Sequence, residues 1–235
     1  MGFKEWIDVR TGLTVWVSSG HGEIRVLPDV AADVLLWQNG LHLAGFDTRA
    51  HSFQRAVGET TIGVRLPPGM LAPVAGDAAS AMLDHRRHLC DANDALMLAG
   101  DNPAAAAREL AAWTARQLDA TSPSEEGSGA ARAIMCSALR GDRVSAVARA
   151  LGWSNRKLQR FTIDNFGMPP VQLRATARFH RAAKLIEQGV ALADVAALAG
   201  YADQAHLTRS MRQIAGTTPA LLHAANRDSV SGTCD

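Results

Sequence analysis

Two stretches of the chain carry hydrogen-bond donors in the same order, about fifty residues apart. ALGWSNRKLQRF runs from Ala150 to Phe161, and LAGYADQAHLTR from Leu198 to Arg209. Each ends in Arg, Gln, Asn, His or Thr, where a helix would turn one polar face outward. Those residue types can read base edges in a DNA major groove: Arg donates twice to guanine O6 and N7, and Gln pairs with adenine N6 and N7. Other candidate chemistry is weaker. His21-Gly22-Glu23 resembles the start of a deaminase zinc motif, but no Pro-Cys-x-x-Cys follows. His85, His88 and Cys90 lie in DHRRHLC, where the two histidines can share a helix face, yet no further ligand is evident. Phosphate-binding glycine loops and serine nucleophile elbows are absent. The expectation is therefore no metal, no cofactor and no enzyme, with structural or surface roles for these histidines.

The donors need elements to hold them. With Gly152 aligned on Gly200, Val147 falls on Val195 and Ala148 on Ala196. After a one-residue insertion, Leu158 falls on Leu207, Arg160 on Arg209, Gly167 on Gly216 and Pro170 on Pro219. Each copy reads as a short apolar helix with a small alanine, a turn glycine beside an aromatic, a capping Ser154 or Asp203, and a polar second helix. This is the pattern of a helix-turn-helix. Trp153 and Tyr201 read as plugs between helices rather than base-stacking groups. Val147, Ala148, Leu151, Leu158, Val195, Ala196, Leu198 and Leu207 read as core. PPVQLRATARFHRAAKLIEQG, Pro169 to Gly189, fits a helix that starts at proline and ends at glycine. At ~1.5 Å per residue it spans roughly 27 Å, close to the ~34 Å between successive major-groove faces.

The remaining chain has a different texture. Residues 1–139 hold 11 Lys and Arg against 16 Asp and Glu, a net of −5, whereas residues 140–228 hold 13 against 6, a net of +7. An acidic front and a basic back suggest two units with different partners, the basic one suited to nucleic acid. From about Leu13 to Leu71, bursts such as LTVWV, IRVL, VLLW, LHLAGF and TIGVRL read as strands of a small sandwich or barrel. From Asp77 to Leu118 the spacing reads as one or two helices, with Asn102-Pro103 as a helix start. TSPSEEGSGA, Thr121 to Ala130, reads as a linker. The fold class is thus α+β: a β-rich domain with trailing helices (1–120), a linker (121–130), an all-α domain (131–228) and a flexible tail (229–235). No apolar run approaches the ~18 residues of a membrane helix. No export signal is visible, and Cys90, Cys136 and Cys234 are odd in number, which suits a cytoplasmic protein.

LGWSNRKLQRF, FGMPPVQL, RFHRAAKLI, DVAALAGYADQAHLTRSM and GTTPALL make residues 131–225 resemble the DNA-binding domain of the AraC/XylS family of transcription regulators. The resemblance implies seven helices, with two helix-turn-helix units joined by a long helix. It implies double-stranded DNA as partner, read by helices at about 155–165 and 203–214. On the matching positions, Arg156, Gln159 and Arg160 of the first unit and Gln204, His206, Thr208 and Arg209 of the second face the groove, with Ala205 placed for a thymine methyl. An alternative role for Arg209 is a phosphate contact or an internal ion pair. Arg174, Arg178, Arg181 and Lys184 are phosphate candidates. Two features depart from the family pattern. Met211 and Ala215 stand where phenylalanine is common, which implies a looser second unit, and Asp164 stands where basic residues are common.

IRVLPDVAADVLLWQNGLHLAGFDTRAH more faintly resembles the N-terminal domains of some members, which implies a cupin-like fold. By the same resemblance, the N-terminal domain would bind a small-molecule effector or form a homodimer, with the 77–118 helices as the contact, and RNA polymerase is a further partner. The alternatives are a β-domain that works as a binding protein or enzyme, and a regulator without a ligand. A polar-lined cavity in the β-domain favours sensing; a filled one favours the ligand-free regulator.

Overall fold

A computed structural model describes residues 2–38, 40–91, 102–121 and 124–222. The N-terminal half contains β1 (Gly2–Ile7), β2 (Thr14–Ser19), β3 (Gly22–Val26), β4 (Asp33–Trp37), β5 (Gly40–Ala44), β6 (His51–Arg55), β7 (Thr60–Arg65) and β8 (Arg86–Asp91). Seven of the strands are joined by short connections; α1 (Leu71–Ala75) and a 3₁₀ turn (Ala79–Met82) precede β8. Six strands form one antiparallel sheet in the order β1-β2-β7-β4-β5-β8, and β3 pairs with β6 in a separate ribbon.

Alternation along the strands decides what each face carries. Val15 lies opposite Val64, Val64 opposite Val34, and Val34 opposite Leu43. These four are buried, and they form a cross-strand row on the face that takes α2 (Pro103–Ala120). Ala106, Ala107, Leu110 and Ala111 of α2 are buried there. The intervening residues Trp16, Ser18, Asp33, Leu35, Trp37 and Thr61 face the other way, toward the β3–β6 ribbon. Gly63 belongs to this second face because the Trp16 indole lies across it; a Cβ on Gly63 would come 2.2 Å from the ring. The result is a two-layer β-domain with an interior that is not filled.

Helices α3 (Glu125–Arg140), α4 (Val144–Ala150), α5 (Asn155–Phe166), α6 (Pro170–Glu187), α7 (Leu192–Ala199) and α8 (Gln204–Ala215) build the C-terminal half. Residues 219–222 begin a further helical stretch. The described residues thus show the expected α+β class, a β-domain followed by two helix pairs with the long α6 between them.

Several expectations need correction. The 77–118 segment is not wholly helical: β8 carries His88 and Cys90 along the sheet edge beside β5, and part of the segment lies outside the described residues. Arg86 and Arg87 interrupt any apolar helix face here, and pairing with β5 prevails over the local spacing. Strand β1 (GFKEWI) has its apolar residues split by Lys4 and Glu5, and β6 (HSFQR) is largely polar, so both lie outside the expected bursts. Most of the expected linker is helix. Ser124 caps α3 by accepting from Gly127 N–H at 3.2 Å, and Glu125 and Glu126 occupy its first turn. Leu198 is 58% exposed, because the buried stripe of α7 is Val195, Ala196 and Ala199. The expected tail at 229–235 lies outside the described residues.

The halves share a core. One cluster of buried residues runs from the β-domain through Ile134 and Met135 of α3, Ala148 of α4 and Leu158 and Phe166 of α5 to Leu173 and Ala177 of α6. The second cluster is built from the end of α6, α7 and α8, with Leu27 and Ala50 of the β-domain against it. Met211 and Ala215 are both buried in it.

Candidate nucleic-acid interface and the adjoining cavity

The two sequence copies fold alike at their turns. Trp153 N–H donates to Ala148 O at 2.9 Å, and Tyr201 N–H donates to Ala196 O at 2.8 Å. Gly152 (φ 64°) and Gly200 (φ 82°) supply the left-handed backbone between them. The second helices start on matched caps: Ser154 Oγ accepts from Lys157 N–H at 3.2 Å, and Asp203 Oδ1 accepts from His206 N–H at 2.6 Å. Leu158 and Leu207 are buried at equivalent positions. Tyr201 is buried, with its hydroxyl 3.1 Å from Ser210 Oγ; Trp153 is half-buried against Phe161. Both aromatics are therefore committed to packing between helices, as expected.

Apolar residues of α5 and α8 face inward, so the polar residues face outward. Arg156, Gln159 and Arg160 are exposed on α5, as are Gln204, Ala205 and Arg209 on α8. Among the described residues none of these three arginines makes an ion pair, which leaves Arg209 without the internal partner considered for it. His206 and Thr208 are half-buried. The His206 ring packs edge-on to Tyr201 at 5.1 Å, and the Thr208 hydroxyl donates to Gln204 O at 2.8 Å. Asp164 is exposed on α5.

On α6 the candidates divide. Arg174 Nε donates to Gly141 O at 3.1 Å, closing the end of α3. Arg178 lies over the Tyr201 ring at 4.4 Å, and Arg181 approaches Gly141. These three brace the fold and are half-buried. Lys184 is exposed at a cavity of about 440 Å³ between the halves, which His180, Glu5, Asp29 and Arg65 also line. Burial pushes the His180 pKa down, against the pull of Asp29.

The β-domain lies against the ends of the two outward-facing helices and leaves their polar faces open. Phe46 meets Phe166 of α5 edge-on at 5.7 Å. Ala50 N–H donates to Ile214 O of α8 at 2.8 Å. One loop, Gly45 to Ala50, thus touches both helix-turn-helix units. It is pinned by Asp84, whose carboxylate accepts from the Thr48 N–H and hydroxyl at 2.6 and 2.7 Å, and by Arg86, which donates twice to Asp47 at 2.7 and 2.6 Å.

The same loop walls a cavity of about 330 Å³ between the sheet and the β3–β6 ribbon. This size lies in the ~300–1,000 Å³ range of small-molecule sites. Its lining mixes Ile24, Leu35, Trp37 and Phe53 with Asp33, Asp47, Arg55 and Arg65. Burial pushes the Asp33 carboxyl up to about 6, although Arg65 pulls the other way and Trp16 Nε1 donates to it at 2.9 Å. His51, also on the wall, is pushed down by burial and by Arg86.

The histidines and cysteines do not assemble a metal site: among the described residues no group of three or more His, Cys, Asp or Glu could hold one. His88 packs instead on His42, ring centroids 5.2 Å apart. His21 and Glu23 are exposed. The cavity, the Arg55 position and the Gly45–Ala50 contacts were not legible as a site in the sequence; the one available signal was the polar residues alternating with apolar ones along β2, β4 and β7.

This architecture defines a helix-turn-helix protein with a β-domain in front. Residues 147–224 match the family model described as a helix-turn-helix domain. The C-terminal domain is of the AraC type, and the protein is a DNA-binding transcription regulator. Similar solved structures have the same fold across nearly the whole chain. An apo variant of ToxT from Vibrio cholerae is 9% identical with a TM-score of 0.54, covering 89% of this chain and 97% of that one. Wild-type ToxT from Vibrio cholerae bound to an unsaturated fatty acid is 9% identical with a TM-score of 0.51, covering 90% and 94%. No curated protein matches the sequence.

Proposed function

We propose that this regulator reads two adjacent major-groove segments of one duplex, with α5 and α8 as the reading helices and the β-domain as an effector sensor. The observation that carries the reading is the repeated outward face: Arg156, Gln159 and Arg160 on one helix, Gln204 and Arg209 on the other, all exposed. The 18 residues of α6 hold the two units roughly 27 Å apart along its axis. His206 and Thr208 complete the second face. Ala205 supplies an apolar spot suited to a thymine methyl. Of the α6 candidates, Lys184 is the exposed one.

The sensor reading is supported by the polar-lined cavity, by the loop it shares with both helix contacts, and by the likeness in fold to ToxT, which is solved with a fatty acid. A small molecule that reshapes Asp47 or His51 moves the backbone that ends at Phe46 and Ala50. The outer face of α2, with exposed Arg108 and Arg116, is the contact we assign to a homodimer.

The test is selection of bound duplexes from a random pool with the full chain. Two conserved boxes about one helical turn apart are expected. Enrichment of a single box, or of none, refutes reading by both units.

A further inference from the structure

The cavity of the β-domain contains one charge that the protein does not neutralise. Four arginines and three aspartates line it. Arg86 grips Asp47. Arg65 donates to Asp29 and to Glu5, each at 2.7 Å, and lies 4.0 Å from Asp33. Arg25 is exposed to solvent. Arg55 is different, being only 5% exposed. Its Nη1 donates to Ser18 Oγ and its Nη2 to Thr61 Oγ1, both at 3.1 Å, and its Nε–H has no acceptor. No carboxylate lies within ion-pair distance among the described residues. The nearest acid acting on it, Glu59, uses an oxygen to accept from Ala56 N–H at 3.0 Å.

A buried cation held by two neutral hydroxyls and the face of the Phe53 ring, 5.4 Å from its centroid, has no anionic partner and remains unfavourable unless one joins it. Burial accordingly pushes the Arg55 pKa down. A second donor on the same wall, Trp37 Nε1–H, is also buried without an acceptor. What the site lacks on both counts is an acceptor. Around these donors the surface is apolar and aromatic, with Ile24, Leu35, Phe53 and Trp16.

Resting on the sensor reading above, we propose that the cavity binds a hydrophobic carboxylate whose carboxylate pairs with the Arg55 guanidinium and whose apolar body lies among Trp16, Trp37 and Phe53. The pairing is non-covalent. Each aspartate has an arginine within 4.0 Å, which weakens its repulsion of the ligand.

The test uses the full chain and four probes: octanoate, 2-naphthoate and the carboxamide of each, titrated by calorimetry and tryptophan fluorescence. Both carboxylates bind at least tenfold tighter than their amides. Arg55→Gln removes that preference while amide binding persists, and Arg55→Lys keeps it. If Arg55→Gln does not fold, the Arg55 Nε–H resonance of the wild type decides; it shifts with octanoate and not with octanamide. Equal affinity for acid and amide, an unchanged preference in a folded Arg55→Gln, no binding of any probe, or an unmoved resonance overturns the assignment. Selective carboxylate binding that leaves operator binding unchanged refutes the sensor reading and leaves the Arg55 assignment standing.

Discussion

Gly167→Ala tests how firmly the β-domain is seated on the first helix-turn-helix unit. Gly167 ends α5 at φ 74°, and a Cβ there would lie 2.6 Å from the Ala79 carbonyl oxygen and 3.0 Å from its carbonyl carbon. Both are backbone atoms, so no side chain can swing aside. Gly152 has a similar backbone (φ 64°), but a Cβ added there meets nothing within 4 Å. The left-handed conformation alone costs about 1–2 kcal/mol for an L-residue, and that is the expected loss for Gly152→Ala. Gly167→Ala carries the same backbone cost plus a forced separation at the seam, comparable with overpacking a core at about 1–3 kcal/mol. The expected total is about 2–5 kcal/mol. Urea unfolding of both variants, followed by far-UV circular dichroism at one pH, measures the difference. Equal losses would refute the reasoning, because the seam would then yield freely and the shared core would not join the halves.

Other residues give separate tests. Arg156→Ala and Gln204→Ala each relax base preference at a different position of the selected site, by about 1–3 kcal/mol; a uniform loss on all duplexes in competition binding would assign them to phosphate. Arg174→Ala and Arg178→Ala lower the melting temperature and leave the salt dependence of DNA binding unchanged, since these side chains are spent on Gly141 and Tyr201; a slope shallower by about 0.9 for either, as one lost phosphate contact gives, would restore them to the interface. The Asp33 carboxyl, raised from 3.8 to about 6, binds its proton more tightly in the folded protein than in the unfolded one. Stability therefore falls as pH rises from about 4 to 6, by up to about 3 kcal/mol. Asp33→Asn flattens that slope in urea midpoints measured across the range, and an unchanged slope would point to another group.

The repeat made the DNA-binding half readable, because its constraints are local. A left-handed glycine, a small alanine and a capping Ser or Asp each act within a few residues, and Gly152, Ala148 and Ser154 do what their types allow. The β-domain was readable only where strands are apolar. LTVWV and VLLW announce themselves, whereas β1 is a mostly exposed strand interrupted by Lys4 and Glu5 and β6 is polar, and the pairing of both is set by partners elsewhere in the chain. Arg86–Asp91 shows the reverse error, a helical spacing overridden by a sheet edge. The Thr121–Ala130 segment misled through composition: Ser124 and the two glutamates form a good helix start, and the glycines after them hid it. Arg55 could not be singled out, since its meaning comes from Ser18 and Thr61, each on a different strand, and from acids committed to other arginines.

The seam between the halves has the energetic scale that switching requires. Moving a two-state equilibrium from 1:99 to 99:1 takes about 5.5 kcal/mol of differential binding. The Phe46–Phe166 pair contributes on the order of 0.5–1.5 kcal/mol beyond its burial, and the Ala50–Ile214 hydrogen bond a net of about 0.5–1.5 kcal/mol. These two contacts, apart from the shared core that also joins the halves, are weak enough for one ligand to outweigh. They are also unequal in their support. Phe166 sits in the large core that includes the β-domain, while Ile214 packs against a separate core joined to the first through α6. A ligand that shifts Gly45–Ala50 therefore meets a fixed α5 and a more independent α8. The consequence is a change in the placement of the second reading helix relative to the first, which alters the fit to two successive grooves without altering either reading face.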